Sequence, residues 1–489
     1  MSGLNRRDFM TASATASGLL AFAALDGAAI AKETPRETSA KAGDVNSQLR
    51  VACVGVHGRG MDHVGGFAGN DKLNTVVTAI CDVDTAVVGK AIKAVEDKQK
   101  KKLVHVTQDI RRLLDDKSID IISIATPNHW HALAAIWAMQ AGKDVYVEKP
   151  VSHNVREGRM IVETSRKLGK ICQTGTQSRS QKGMQEAIEF VHSGKLGKVH
   201  LARGLCYKRR PSIGKVSGPT AIPGSCDYNL WCGPAPMKPL MRKNLHYDWH
   251  WVWDTGNGDL GNQGIHEMDK ARWGLGKMEL PKSAISIGGR FGYIDDGQTA
   301  NTQICLFDYG DCELIFEVRG LPTQKLMGAA VGNIFYGSEG YVVCPSYSSG
   351  VAYDKDGKKL AEFKGGGDHY GNFVRAVRER KHELLNADIL EGHLSSAMCH
   401  LGNISYRLGT QTSFAEADKS FGKDADGLDS IKRMLEHLKE NKVDMEATKF
   451  SLGRKLMIDQ KTETFLNDKE ANAMLTREYR KGFVVPDKV

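Results

Sequence analysis

The stretch from Leu49 to Ala68, LRVACVGVHGRGMDHVGGFA, constrains the chain most: an apolar run breaks into a glycine-rich turn that opens into a helical pattern. Gly55, Gly58 and Gly60 give the spacing G-x-x-G-x-G, with His57 and Arg59 between them. Positions without a Cβ let a backbone turn tightly and approach a pyrophosphate, and a helix N-terminus offers that anion free N–H groups and a favourable dipole. A plain tight turn needs the same glycines, so the context has to decide. One strand-helix-strand unit later, NTVVTAICDVD places Asp82 at the end of a second apolar strand. A carboxylate there accepts hydrogen bonds from ribose hydroxyls and repels a 2′-phosphate, which favours NAD over NADP.

The alternation continues through DIRRLLDD (helix), IDIISIATP (buried strand), NHWHALAAIWAMQAG (helix, stopped at Gly142) and KDVYVEKP (strand). Continuous apolar strands alternating with helices predict a parallel, doubly wound sheet, whose ligands sit beyond the carboxyl ends of its strands. The segments expected to converge there are Gly55 to Gly60, Asp82, Thr126-Pro127-Asn128 and Glu148-Lys149-Pro150. Taken alone, Lys149 reads as a strand-end lysine that snorkels to the surface before a proline.

The run ATPNHWHALAAIWAMQAGKDVYVEKP resembles the signature of the glucose-fructose oxidoreductase/inositol dehydrogenase (Gfo/Idh/MocA) family, in which a T-P-N-x-x-H helix start precedes a strand ending in E-K-P. The tail from Lys455 to Pro486 is similar to exported members of that family. The resemblance implies a Rossmann domain over residues 49–172 and an α/β domain over 173–489, built on an open, mainly antiparallel sheet that carries the substrate pocket. It also implies NAD as cofactor, held by the glycine turn, Asp82, Thr126, Pro127, Asn128, His131, Glu148 and Lys149, with a sugar or polyol as substrate. Lys149 then contacts nicotinamide ribose and substrate, and the protein forms a homo-oligomer, dimer or tetramer.

A second constellation is GNGDLGNQGIHEMDKARWGLG, residues 256–276. A helix beginning near Gly261 would put Asn262, His266 and Asp269 on one face, with Leu260, Gly264 and Trp273 packing behind. It resembles the family's D-x-x-x-H motif, whose histidine acts as acid/base on the substrate hydroxyl and falls on His266. An imidazole suits that task because its unperturbed pKa lies near neutrality. Asn262 stands where many members have Asp and supplies no charge, though its amide can still orient, and Asn262 and Asp269 are together expected to orient hydroxyl and imidazole. The competing reading is a surface His/Asp pair.

Between the motifs, LHYDWHWVWDTGNGD brings His246, Trp249, His250, Trp251 and Trp253 together in sequence. Aromatic faces with neighbouring polar groups make a candidate sugar-facing wall from Trp249, His250 and Trp253, and core packing explains the tryptophans equally well. His246, His250 and His266 follow no metal-ligand spacing, and no metal is expected. Gln177 and Arg179, after a strand (KICQTG) expected to cross between the domains, and Tyr207, after VHLARGLCY, are weaker pocket candidates. In the second half, short strands with Gly/Asp turns predict a meandering sheet, covered by helices over DHYGNFVRAVRERK and ILEGHLSSAMCHLGNISYRLG.

The remaining features bound location and partners. Residues 1–31 read as a twin-arginine export signal: Arg6-Arg7, Phe9, a weakly apolar stretch, and Ala29-Ile30-Ala31 as a cleavage form, followed by a polar linker over 32–48. This predicts passage through the Tat machinery and a periplasmic or otherwise exported protein, with no stable membrane insertion once the signal is cleaved. The 67 Lys and Arg against 58 Asp and Glu are scattered, and the runs at Lys98 to Lys102 and Lys208 to Arg210 lack interleaved aromatics, so solvated faces are expected and nucleic acid is not. Ten cysteines show no CxxC pair, and Cys53, Cys81, Cys305 and Cys312 fall in predicted strands. Taken together, the expected activity is hydride transfer between retained NAD and a carbinol carbon of a sugar. The alternatives are a redox-neutral glycoside hydrolase or lyase working through a transient keto-sugar, and a non-catalytic cofactor-binding protein.

Overall fold

The computed structural model describes residues 47–103 and 105–489; the signal-like segment 1–31 and the linker as far as residue 46 lie outside the described residues. The first sheet is formed by β1 (Leu49–Val54), β2 (Thr75–Cys81), β3 (His105–Thr107), β4 (Ile121–Ile124), β5 (Asp144–Val147) and β6 (Cys172–Thr174). All its pairs are parallel, in the order β3-β2-β1-β4-β5-β6. This is the doubly wound arrangement, with its switch point between β1 and β4. Its helices are α1 (Gly60–Phe67), α2 (Val88–Gln99), α3 (Arg111–Leu114), α4 (Asn128–Gln140) and α5 (Val155–Leu168). α4 is buried almost all round, as expected of an apolar helix pressed between a sheet and further structure. α5 starts at Asn154, whose side chain accepts from the Glu157 N–H, and ends at Gly169 in the left-handed region.

The chain then runs through α6 (Lys182–His192), β7 (Val199–Tyr207), α7 (Tyr228–Cys232), α8 (Gly258–Gly261), α9 (Gly264–Gly274), β8 (Ser283–Gly289), β9 (Thr302–Asp308), β10 (Glu313–Arg319), β11 (Val331–Gly337), β12 (Gly340–Cys344), β13 (Ser349–Asp354), β14 (Lys359–Lys364), α10 (His369–Glu379), α11 (Ile389–Arg407), β15 (Thr410–Ser413), α12 (Ala425–Glu440) and β16 (Lys449–Leu452). The second sheet has the order β14-β13-β12-β11-β7-β10-β9-β8-β16-β15 and is antiparallel except where β7 meets β10. Period-2 alternation sorts its side chains: Leu314, Phe316 and Val318 of β10 join the core under α9 and α11, while Ile315 joins the opposite core with Met434 and Leu438 of α12.

Three expectations change. The KICQTG strand does not cross between domains: β6 is the edge of the first sheet, and the chain leaves it through the turn at 175–181. α10 covers the first sheet, because Phe373 and Val374 pack with Val51, Phe67 and Tyr146; α11 does cover the second. Cys312 lies in the turn before β10, where the Tyr309 N–H donates to its carbonyl. All ten cysteines are buried free thiols. Among the described residues no helix is long and apolar enough to cross a membrane.

Candidate active site

The glycine turn closes on itself. The Gly55 N–H donates to the Cys81 carbonyl at 2.8 Å, and a Cβ on Gly60 would stand 1.8 Å from the Gly55 carbonyl oxygen. Gly55 and Gly58 both have positive φ, +77° and +84°. A Cβ on Gly55 would press on the Ala125 backbone at 2.8 Å, whereas one on Gly58 would meet nothing within 4 Å. Gly55 is therefore needed for the close approach to the chain after β4 and Gly60 for the packing of α1 on the turn, while Gly58 leaves the backbone accessible just before α1.

The strand ends converge as the topology requires. A cavity of about 440 Å³ is lined by His57, Gly58 and Arg59, by Asp82, by Thr126, Pro127 and Asn128, and by Glu148 and Lys149. Asp82 braces the turn: its carboxylate accepts from the Val56 N–H at 2.8 Å and the Asp84 N–H at 3.1 Å. Burial raises its pKa against those hydrogen bonds. His131 is a buried part of the cavity wall, its ring nitrogens facing the Pro150 carbonyl at 2.6 Å and the Thr126 carbonyl at 2.7 Å. A neutral imidazole donates to one of these carbonyls at a time, and either way His131 sits between the β4 and β5 ends in the cavity wall. Asn128 donates at 2.9 Å to Asn257, tying the first domain to the start of α8.

Glu148 is buried and accepts from Arg59 Nε at 2.9 Å and Gln177 Nε2 at 3.1 Å, with His63 Nε2 at 3.3 Å. Burial pushes its carboxyl up, but the hydrogen bond with His63 and the Arg59 charge outweigh this and hold it well below the usual range. Lys149 is half-buried at the wall, and its ammonium donates to the Asn262 carbonyl at 2.9 Å. Burial lowers its pKa against the opposing charge of Glu148.

From the other side come Asn262 and His266. They do not share one helix: the chain breaks between α8 and α9, with Asn262 at φ −86°, ψ −81°, so its carbonyl turns to Lys149. His266 is 6 % exposed, its Nδ1 has no hydrogen-bond partner, and its ring lies 4.8 Å from that of Tyr347. Burial, then the Lys149 charge, lower its pKa well below the ordinary value, so the imidazole is neutral across the physiological range.

Asp269 points elsewhere. It is fully buried and accepts from Arg179 Nε at 2.8 Å and Ser395 Oγ at 2.8 Å. Arg179 also donates to Glu391 at 2.9 Å, so neither residue of this pair is among the cavity-lining groups. A buried guanidinium needs carboxylate partners, and that demand outweighs the orientation of His266 expected for Asp269. Tyr207 is likewise diverted, donating to Glu317 at 2.6 Å in a network with Arg433. Trp253 lies off the cavity, under the Arg407 guanidinium at 5.0 Å. Trp249 and His250 do line it, stacked at 3.6 Å between ring centroids, and burial takes the His250 pKa down to about 3. His246 Nε2 is hydrogen-bonded to the Asp84 carboxylate at 2.8 Å, and among the described residues no group of three or more His, Cys, Asp or Glu could hold a metal.

Sequence reasoning passed over His63, Tyr247 and Tyr347. His63 lies one helical turn after Gly60, a spacing that could have marked it; Tyr347 comes from the turn after β12 and carries no local signal. It also passed over the roof. The segment between β7 and α8 returns over the end of β2, where Thr85 N–H donates to Ser225 at 3.0 Å and Asp227 N–H to Val83 at 2.9 Å. Trp231, Tyr247, Trp249 and His250 of this segment face the cavity.

Residues 49–176 match the NAD-binding Rossmann-fold domain of the oxidoreductase family, and residues 189–439 match its C-terminal alpha/beta domain. The chain belongs to the Gfo/Idh/MocA oxidoreductase family, and its first domain is an NAD-binding domain. Curated relatives include the alpha-N-acetylgalactosaminidase of Shewanella oneidensis, 34% identical over 181 residues, or 35% of this chain and 39% of that protein. A glycosyl hydrolase family 109 protein of Shewanella pealeana is 32% identical over 204 residues, 40% of this chain and 44% of that one. The chain thus matches less than half the length of these relatives. Among solved structures, the WlbA dehydrogenase from Bordetella pertussis in complex with NADH and UDP-GlcNAcA has a TM-score of 0.54 at 18% identity, covering 74% of this chain and 97% of that one. Levoglucosan dehydrogenase in complex with NADH and levoglucosan has a TM-score of 0.55 at 17% identity, covering 72% and 95%. These likenesses establish a shared fold.

Proposed function

We propose that the chain uses NAD to oxidise or reduce a carbinol carbon of a sugar, glycoside or polyol. The observation that supports this best is that the Lys149 ammonium and the neutral His266 imidazole line the same cavity as the Gly58 turn and Asp82. The turn, Asp82, Thr126 to Asn128 and Lys149 would hold the nucleotide, whose nicotinamide supplies a two-electron hydride acceptor when bound. His266, neutral and with a free ring nitrogen, takes the hydroxyl proton, and the Lys149 ammonium stabilises the negative charge that develops on that oxygen. Burial lowers the pKa of that ammonium, the charge of Glu148 beside it opposes the lowering, and the Asn262 carbonyl holds it in place. The roof over the β2 end supports a nucleotide that stays bound between turnovers.

A second reading is net glycoside cleavage without net redox change, in which oxidation of a carbinol acidifies the neighbouring C–H, the glycosidic bond breaks by elimination with the proton passing to the leaving alcohol, water adds to the resulting double bond, and the hydride returns to the ketone; without the water addition the product is that of a lyase. The alpha-N-acetylgalactosaminidase and glycosyl hydrolase names of the partial relatives favour it. One experiment separates the readings. Purified protein is denatured to release and quantify NAD(H), then absorbance at 340 nm is followed on adding a sugar panel and, separately, nitrophenyl glycosides. A lasting 340 nm change supports the oxidoreductase, and nitrophenol release without one supports the glycosidase. Lys149→Ala should cut either signal by at least about 100-fold per mole of bound NAD, the scale of losing one charge-stabilising group. Either signal surviving in that variant rejects the assigned roles. The reading also has the protein exported through its Arg6-Arg7 segment; a reporter behind residues 1–45 exported equally well with Arg6→Lys/Arg7→Lys would remove that part.

A further inference from the structure

Beyond the reactive cavity lies a second one of about 370 Å³, lined by Arg209, Arg210, Lys243, Asp248 and Trp251 and sharing a single wall residue, Tyr247, with the first. That shared residue is held unusually. Tyr247 has φ +68° and ψ −51°, a strained conformation for a tyrosine, and the Asp248 N–H closes a three-residue turn on the His246 carbonyl at 2.9 Å. The residue is 52% exposed, and its hydroxyl accepts from Arg210 Nη1 at 2.7 Å. The turn therefore presents an aromatic face between two cavities where it could otherwise have buried the ring.

The charges in the second cavity are unevenly matched. Arg210 is neutralised by Asp259, to which it donates twice at 2.7 Å. The nearby Asp295 carboxylate is taken by Arg290, Ser212 and the Ile213 N–H. Asp248, the one carboxylate on the wall, is buried, accepts from Asn244 at 2.8 Å, and burial raises its pKa. Arg209 and Lys243 are left: both are exposed, and among the described residues neither has an ion pair. Two uncommitted cations beside a stacking ring form a polar, positively charged pocket next to the proposed reaction site.

We propose that this second cavity is a subsite for an anionic group, a carboxylate, sulfate or phosphate, carried by the part of the substrate beyond the reacting ring, with Arg209 and Lys243 as its ligands and Tyr247 as the platform between the two rings. The assignment of that group to a substrate rests on the sugar-oxidoreductase reading; the anion site itself is measured independently. Inorganic phosphate is titrated into the protein as purified, followed by tryptophan fluorescence, since Trp251 lines the cavity. Glucuronate and glucose are compared in the same way. Phosphate affinity is expected to fall at least tenfold in Arg209→Ala/Lys243→Ala and equally in Arg209→Gln/Lys243→Gln, with NAD content unchanged as proof of folding. Glucuronate should bind at least fivefold tighter than glucose, with that preference lost in both variants. The surface control Lys100→Ala/Lys101→Ala should bind phosphate like the parent protein. Undetectable phosphate binding at 10 mM, equal affinity in parent and variants, or an equal loss in the surface control overturns the subsite. Intact phosphate binding in protein with no NAD and no 340 nm response counts instead against the preceding reading.

Discussion

The two ends of the first cavity are built by different means. At the nucleotide end most of the wall is built from strand termini of one parallel sheet, and the decisive contacts are made with the backbone: the Gly55–Gly60 closure, the Asp82 brace and the His131 contacts. Chain order alone brings these segments together. At the substrate end the walls come from two short helices, a long roof segment and a turn after β12, and side chains there choose among distant partners. Arg179 takes Asp269 and Glu391, Glu317 takes Tyr207 and Arg433, and His266 is left with a free nitrogen. Topology positions the first end, and competition for charge and hydrogen-bond partners positions the second.

The sharpest way to break this comparison is Gly60→Ala. The new Cβ would meet the Gly55 carbonyl oxygen at 1.8 Å, and backbone, unlike a side-chain end, cannot swing away. Displacing the turn should cost about 1–3 kcal/mol, and because the turn is the proposed pyrophosphate cradle, NAD(H) recovered per mole of protein should fall roughly tenfold or more. Chromatography of the nucleotide released on denaturation measures it. Full nucleotide content in Gly60→Ala would mean that backbone closure does not govern the nucleotide end.

The same contrast explains what could be read without coordinates. The parallel sheet, its order of strands and helices, and the convergence of Gly58, Asp82, Asn128 and Lys149 were accessible because apolar periodicity identifies strands and the strand-end rule then locates ligands. The meeting of Lys149 with the His266 segment was accessible through motif resemblance. Helical spacing failed for Asn262 and Asp269, since it assumed one helix where the break at Asn262, between α8 and α9, makes two. It also could not anticipate that Arg179, ninety residues away, claims the Asp269 carboxylate. Tyr347 and Tyr247 contribute single side chains from loops, and nothing local in a loop sequence records which cavity it will border.

A smaller effect is expected from Asp269→Asn, and its character sharpens the comparison. Removing this charge leaves the fully buried Arg179 and its neighbour Arg272 sharing Glu391, and breaking a buried pair costs about 3–5 kcal/mol. Denaturant unfolding should show that loss, while the folded fraction keeps its NAD and an unshifted pH profile for sugar turnover. Unchanged stability with a displaced pH profile would restore Asp269 to the orientation of His266 and show that charge competition does not dominate this end.

The smallest effect separates two tryptophans of one segment. Trp253 packs against Arg407, and an interaction of that kind at a partly exposed site contributes about 0.5–1 kcal/mol. Trp253→Leu should therefore lower stability by that amount and leave KM for a responsive sugar within twofold of the parent. Trp249, four residues earlier, stacks on His250 in the cavity wall, and Trp249→Leu should raise KM several-fold at unchanged NAD content. Both rings looked equally suited to a sugar when only their spacing was visible. If the two substitutions prove equivalent in KM, the wall facing the substrate is drawn wrongly at this end, and the roof must move before the substrate binds.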